Sequence, residues 1–205
     1  MKSPIETFSN WVESGKDDGM EKNHFKPVSK MLDLITETQD VFSIIDAGCG
    51  NGWAVRNIAK HKNCEIAIGV DGSELMINKA KKLDSNNKYF LGNLLEWKPE
   101  NKVSAVITME VLYYFNEPLL VLKNIYKNWL KSNGKFVMGI DFYYENTECH
   151  DWQEKTGVSI MKLMSIEDWE TLFLQAGFDN IKKYQFCKSG NWKGTLVIEG
   201  IKIDK

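Results

Sequence analysis

Arginine is almost missing from this chain: Arg56 stands alone among 205 residues. The planar guanidinium fork that grips phosphates and guanine edges therefore has little material to work with. The lysines are spread out as solvated faces, and the formal charge is −2, so a broad nucleic-acid footprint is not expected. Cysteine is scarce too. Cys49, Cys64, Cys149 and Cys187 contain no Cys-x-x-Cys pair, which argues against a zinc site or a disulfide framework and for reduced thiols. Cys149-His150-Asp151 gathers metal-ligand types, but adjacent residues rarely converge on one ion, so a polar loop and no metal are expected. No apolar run approaches the roughly 20 residues that cross a bilayer. Met1 to Met20 carries Glu6, Glu13, Asp17 and Asp18 without an apolar block, so no secretory signal or membrane partner is expected, and a cytoplasmic location is the default. Repeats and low-complexity tracts are absent as well.

What is present is an ordinary globular composition, 43% hydrophobic and 26% charged, in a length that suits one domain. Short β-type runs at Val41–Asp46, Glu65–Val70, Lys88–Leu91, Val103–Met109 and Lys135–Ile140 alternate with helical patterns. Ser73–Lys82 reads as a helix with Met76 facing inward. Pro118–Lys131 is the clearest, with Leu119, Leu122, Ile125, Trp129 and Leu130 near helical spacing and Gly134 as its stop. This alternation predicts a parallel sheet with helices on both faces.

The end of the chain breaks the rhythm. Ser165–Ala176 reads as a helix with Ser165 as N-cap, Asp168 at its third position and Gly177 as terminator. Two strand-like runs follow, Ile181–Cys187 and Thr195–Ile203. The seven residues between them suit an antiparallel hairpin and are too few for a crossover helix. About forty residues precede the first strand and should form two helices. His24–Glu37 is one of them, with Phe25, Val28, Met31, Leu32 and Ile35 on one side and Pro27 in its first turn.

In such sheets ligands bind beyond the carboxyl ends of the strands. The first strand runs into Asp46-Ala47-Gly48-Cys49-Gly50-Asn51-Gly52-Trp53, where bare backbone can approach a ligand and the following helix offers free N–H groups. The third glycine comes one residue earlier than in the dinucleotide pattern Gly-x-Gly-x-x-Gly, which, with the closing hairpin, counts against a nicotinamide dehydrogenase. The second strand ends at Asp71-Gly72-Ser73, and a carboxylate there can accept both hydroxyls of a ribose. The competing role for Asp71 is an acid at the helix N-terminus.

Together, Asp46-x-Gly48-x-Gly50-x-Gly52, Asp71-Gly72-Ser73, Gly92-Asn93-Leu94 and Met109-Glu110-Val111-Leu112 resemble the class I S-adenosylmethionine-dependent methyltransferases over residues 41 to 203. The resemblance implies a Rossmann-like doubly wound α/β fold: a seven-stranded sheet, mostly parallel, with an antiparallel last strand closing the hairpin. It implies one methyltransferase domain over 1–205, with a helical cover at 1–40, a cofactor-binding half at 41–140 and a substrate-side insertion and hairpin at 141–205. It also implies S-adenosylmethionine as cofactor and S-adenosylhomocysteine as product. Gly48, Cys49, Gly50, Asn51, Gly52 and Trp53 would pass against the methionine part, with Asp46 fixing its ammonium. Asp71 would hold the ribose, while Gly72, Ser73 and Met76 flank the adenine. Asn93 stands where the family most often has Asp, with the Leu94 N–H beside it for a ring nitrogen. Met109 and Glu110 would lie near the sulfonium.

The stretch Val111 to Pro118 looks like the family segment that often carries a histidine, and Tyr114 occupies that position here. Either Tyr113 or Tyr114 could instead pack into the core. Phe8 to His24 looks like an active-site cover that brings Trp11 and Met20 over the cofactor; a surface helix with one anchoring Trp is the alternative. Asp141 to Trp152 follows the fifth strand, and its aromatic and acidic mix would suit a cationic or ring-bearing acceptor. Candidate bases are His24, His150, Glu110, Asp141, Tyr113 and Tyr114, with the two histidines leading because they titrate nearest neutral pH. The expected acceptor is a small molecule methylated at N, O or C, acted on by a monomer or homodimer. RNA or protein methylation, and a non-catalytic cofactor-binding regulator, are the competing functions.

Overall fold

The β-branched runs of the sequence pair into a single sheet in the computed structural model, which describes residues 1–37 and 41–203. The strands are β1 Phe42–Ala47, β2 Cys64–Asp71, β3 Lys88–Leu91, β4 Val103–Met109, β5 Leu130–Ile140, β6 Asp179–Phe186 and β7 Thr195–Ile201. Their order across the sheet is β3-β2-β1-β4-β5-β7-β6. The first five are parallel to one another, whereas β7 runs antiparallel to both β5 and β6.

Adjacent residues of a strand point to opposite faces, and both faces are covered. Ile45, Val106, Phe136 and Met138 pack toward α5 (Pro118–Asn124) and α7 (Ile166–Ala176), which contribute Leu122, Trp169 and Phe173. Ile44, Ala105, Ile107 and Val137 pack on the other face, which includes Met31 and Ile35 of α2 (Met20–Thr36) and Val55 and Ile58 of α3 (Trp53–Ile58). Two further helices are α1 (Pro4–Ser14) and α4 (Glu74–Leu83), and a short α6 (Trp152–Thr156) follows β5. Among the described residues no helix is long and apolar enough to cross a membrane.

Register aligns the strand ends that matter. Asp46 sits opposite Gly69 of β2 and Ile107 of β4, and Met109 opposite Gly139 of β5. The tips of β1, β2, β4 and β5 therefore open on one edge, where strand order reverses between β1 and β4.

Two expectations need correction. The helix expected over Pro118–Lys131 keeps α geometry only to Asn124; Ile125–Trp129 widens into a π turn and the chain is extended from Leu130. Side-chain anchors account for this. Asn124 Nδ2 donates to the carbonyls of Leu94 and Trp97, and buried Trp129 donates its indole N–H to the Trp97 carbonyl. The left-handed residue after it is Asn133, at φ 58°, and Gly134 does not act as the stop. Second, α2 begins at Met20, so Pro27 lies in its interior and not in the first turn. A 3-10 turn over Lys16–Gly19 runs directly into α2 and moves its start upstream of the apolar pattern.

Candidate active site

The loop after β1 turns on three left-handed glycines, Gly48 at φ 81°, Gly50 at φ 53° and Gly52 at φ 77°. At Gly48 a Cβ would come within 2.3 Å of Val111 Cγ2, so only hydrogen fits. The amides of Gly48 and Cys49 both donate to the Val70 carbonyl, at 2.8 and 3.1 Å, which ties the loop to β2. Asp71 completes the tie: its carboxylate accepts the Gly50 amide at 2.9 Å and the Ser73 amide at 2.8 Å. Asp71 is thus wedged between the glycine loop and the start of α4, with lone pairs left over for a ligand. Burial raises its pKa, and the amides of Ser73, Gly50 and Gly72 oppose that rise. Asp46 receives no such help. Burial, and then the neighbouring Asp71 charge, push its pKa up to about 7. A cation placed between these two carboxylates would relieve both.

A cavity of about 810 Å³ extends from this loop to the tips of β4 and β5. Of the residues expected at the cofactor, Asp46, Gly48, Cys49, Gly50 and Trp53 line it from the β1 side. Asp71, Gly72, Ser73 and Met76 line it from β2 and α4, and Asn93 and Leu94 from the loop after β3. Met109 and Glu110 close its far end, and Trp11, Met20 and His24 reach it from the N-terminal helices. These helices are fastened to the glycine loop and to α4 by polar pairs. Ser9 Oγ and Ser73 Oγ lie 2.8 Å apart, and buried Asp17 takes the Asn51 amide at 2.8 Å and Lys79 Nζ at 2.8 Å.

Three expected residues lie off the wall. Asn51 is buried, with its amide on Asp17 and its Oδ1 accepting the Trp53 amide at 3.2 Å; it shapes the loop from behind. Gly52 makes room for the Tyr89 ring, which a Cβ would meet at 2.5 Å. His150 is exposed and bonded through Nε2 to the Tyr144 carbonyl at 2.8 Å, apart from the cavity. Cys149 points elsewhere, to the carbonyls of Asp141 and Asn146.

At the β4–β5 end the side chains interlock. Glu110 sits at φ 60°, a left-handed conformation that is costly for a glutamate, and its amide donates to the Gly139 carbonyl at 3.0 Å. Its carboxylate accepts the Tyr113 hydroxyl at 2.7 Å and the Asp141 amide through a short bond. Tyr113 is core-buried and Tyr114 partly buried, with hydroxyls 3.3 Å apart. Burial, then Glu110, raises the Tyr113 pKa far above the usual phenol range, and burial raises that of Tyr114, so neither phenol suits the role of base. Asp141 is buried, and the Thr195 side chain bonds to its carboxyl. His24 Nε2 lies 3.8 Å from Asp141 Oδ2, while Nδ1 is 3.1 Å from the Met20 carbonyl. Burial raises the pKa of both carboxyls, and for Glu110 the Asp141 charge adds to it.

Phe8 and Trp152, at the ends of the two stretches expected to cover and line the site, do line the cavity: Phe8 packs edge-on against Tyr114, with ring centroids 5.2 Å apart, and Trp152 stacks on Trp192 at 6.1 Å. Trp192 lines it too, and sequence reasoning missed it. Trp192 lies in a Gly-containing hairpin link, where turn signals mask a pocket residue.

A glycine loop locked to a strand-tip carboxylate, on a sheet closed by an antiparallel strand, has the form of an α/β protein whose ligand joins a nucleoside to an amino acid. The family described as a methyltransferase domain matches residues 8–183, and the chain belongs to it, among the class I S-adenosylmethionine-dependent methyltransferases. S-adenosylmethionine is this family's cofactor. A curated relative is the malonyl-[acyl-carrier protein] O-methyltransferase of Halalkalibacterium halodurans, 27% identical over 62% of the chain and 52% of its own length. Another is the tRNA U34 carboxymethyltransferase of Sulfurimonas denitrificans, 22% identical over 99% of the chain and 69% of its own length. The chain spans about half the length of several curated relatives it matches. The fold is shared with the methyltransferase in a complex with the Haloferax volcanii Trm112 methyltransferase activator, at TM-score 0.82, 23% identity and 100% of both chains. It is also shared with a SAM-dependent methyltransferase of Thermotoga maritima described as a possible histamine N-methyltransferase, at TM-score 0.75, 20% identity, 97% of this chain and 99% of that one.

Proposed function

We propose that the chain is a single-domain enzyme that transfers a methyl group from S-adenosylmethionine to a small-molecule N, O or C acceptor. The observation that carries this is the continuity of the cavity: one space joins the glycine loop and Asp71 to an aromatic and acidic pocket at Glu110, Tyr113 and Asp141. Its volume, about 810 Å³, suits a cofactor together with a modest acceptor. The bound cofactor supplies an electrophilic methyl group on a sulfonium. Asp71 binds the ribose hydroxyls, Asp46 the ammonium, and Met76 and Asn93 the adenine. Trp11 and Met20, carried by the N-terminal helices, cover the reacting centre and exclude water. The chain's own contribution to rate is alignment of the acceptor with the methyl group. Incubation with S-adenosylmethionine and fractionated metabolite extract should yield S-adenosylhomocysteine and a methylated small molecule. No product from any fraction would refute catalysis and leave a cofactor-binding regulator.

A second reading, a macromolecular acceptor with a helper subunit, draws on two likenesses that span essentially the whole chain: the tRNA-modifying relative and the methyltransferase of the Trm112 complex. Salt-dependent tRNA binding, or stable co-purification with a Trm112-type activator, would favour it over the small-molecule reading. The near absence of arginine supports the small molecule.

A further inference from the structure

The cluster formed by His24, Glu110 and Asp141, whose ligand atoms lie within 4.8 Å of one another, stands across the strand-order reversal from Asp46 and Asp71. It therefore faces the part of the cavity that the nucleoside-binding groups do not use. Within it Asp141 is 7% exposed, the Thr195 side chain bonds to its carboxyl, and its Oδ2 faces His24 Nε2 at 3.8 Å. Two carboxyls side by side disfavour a phosphate, carboxylate or phenolate and favour a cation bearing N–H groups.

His24 supplies a complementary feature. In the tautomer whose Nδ1–H donates to the Met20 carbonyl, 3.1 Å away, Nε2 carries a lone pair; it lies 3.8 Å from Asp141 Oδ2, too far for a direct hydrogen bond and open to a proton donor seated between them. The walls are rings: Tyr113, Tyr114, Phe8 and Trp11, the last with Lys16 Nζ 4.3 Å from its ring centroid. Ring faces of this kind attract cations. A divalent metal fits less well, because both Glu110 oxygens already accept hydrogens from Tyr113 and the Asp141 amide.

We infer that the methyl acceptor is a primary or secondary amine, which enters as its ammonium, is held by Asp141 beside Glu110, and gives one proton to His24 Nε2. This rests on the methyl-transfer reading above. Once that proton has moved, the nitrogen lone pair forms the new N–C bond as the methyl C–S bond breaks. The electron pair of that bond passes to sulfur, which becomes a neutral thioether, and the positive charge leaves on the methylated ammonium. Asp141 offsets the charge gained by His24.

The test is binding to the protein saturated with S-adenosylhomocysteine, measured by calorimetry and thermal shift. The probes are a ring-bearing amine series from benzylamine to tryptamine, with the matched alcohols and carboxylic acids, and MgCl2, MnCl2 and ZnCl2. At least one amine should bind tenfold or more tightly than its alcohol and acid partners. Asp141→Asn should weaken that amine at least tenfold while S-adenosylhomocysteine affinity stays within threefold. His24→Gln should hold the amine but slow its methylation at neutral pH, with part of the rate restored as pH rises. If no amine is preferred, if a metal binds in an Asp141-dependent manner, or if Asp141→Asn weakens S-adenosylhomocysteine as much as the amine, the inference is overturned. Failure of the wild-type protein to bind S-adenosylhomocysteine would instead refute the methyltransferase reading on which it rests.

Discussion

At the residue scale the site rests on a few atoms that admit no substitute. A Cβ at Gly48 would overlap Val111 at 2.3 Å, in a backbone already at φ 81°. Gly48→Ala should cost roughly 2–5 kcal/mol, read from urea denaturation midpoints; a cost below about 0.5 kcal/mol would contradict the packing. Asp46 makes a pH prediction. Its pKa is about 7 in the fold against an ordinary 3.8, so between these values the native state holds more proton than the unfolded one. Asp46 therefore makes stability fall as pH rises through that window, and Asp46→Asn should flatten this part of the stability profile. The same proton competes with the cofactor's ammonium. S-adenosylhomocysteine affinity should climb between about pH 5.5 and 7.5, with proton release visible in calorimetry across buffers, and Asp46→Asn should lose both the climb and the release. An affinity flat with pH would remove Asp46 from the ammonium site. The glycines and both acids were legible in the sequence because strand, turn and spacing name them. The pairing of Asp141 with His24 was not: 117 positions separate them, and only the fold closes that gap.

At the element scale local chemistry set boundaries wherever caps are strong. Ser165 accepts the Asp168 amide at 3.1 Å, and Asp168 Oδ2 accepts the Ser165 amide at 2.9 Å, a capping box at the N-cap and third position that residue types alone had marked. Ser165→Ala should destabilise the protein by about 1 kcal/mol and leave cofactor affinity unchanged, because α7 anchors Trp169 and Phe173 in the core cluster on the sheet face opposite the one α2 covers. A matching loss of S-adenosylhomocysteine binding would show that the two faces are coupled. Boundaries set by tertiary anchors stayed hidden. The π turn over Ile125–Trp129 follows from the hold of Trp97 on Trp129, and nothing in the local pattern announces it. Likewise, the early start of α2 comes from a 3-10 turn held by Asp17, whose partners Asn51 and Lys79 are distant in sequence.

At the scale of the whole molecule, alternation of strand and helix foretold the parallel sheet and the short link foretold the closing hairpin, while the antiparallel β7 followed from the family resemblance. Strand order puts Asp46 and Asp71, the acids proposed to hold the cofactor, on one side of the reversal and Glu110 with Asp141 on the other. The account depends on Asp71 gripping both the glycine loop and the nucleoside. Calorimetric titration of S-adenosylhomocysteine into wild type and Asp71→Ala tests this directly. Loss of two charge-assisted hydrogen bonds should weaken binding roughly hundredfold or more. An affinity unchanged within twofold would contradict the account.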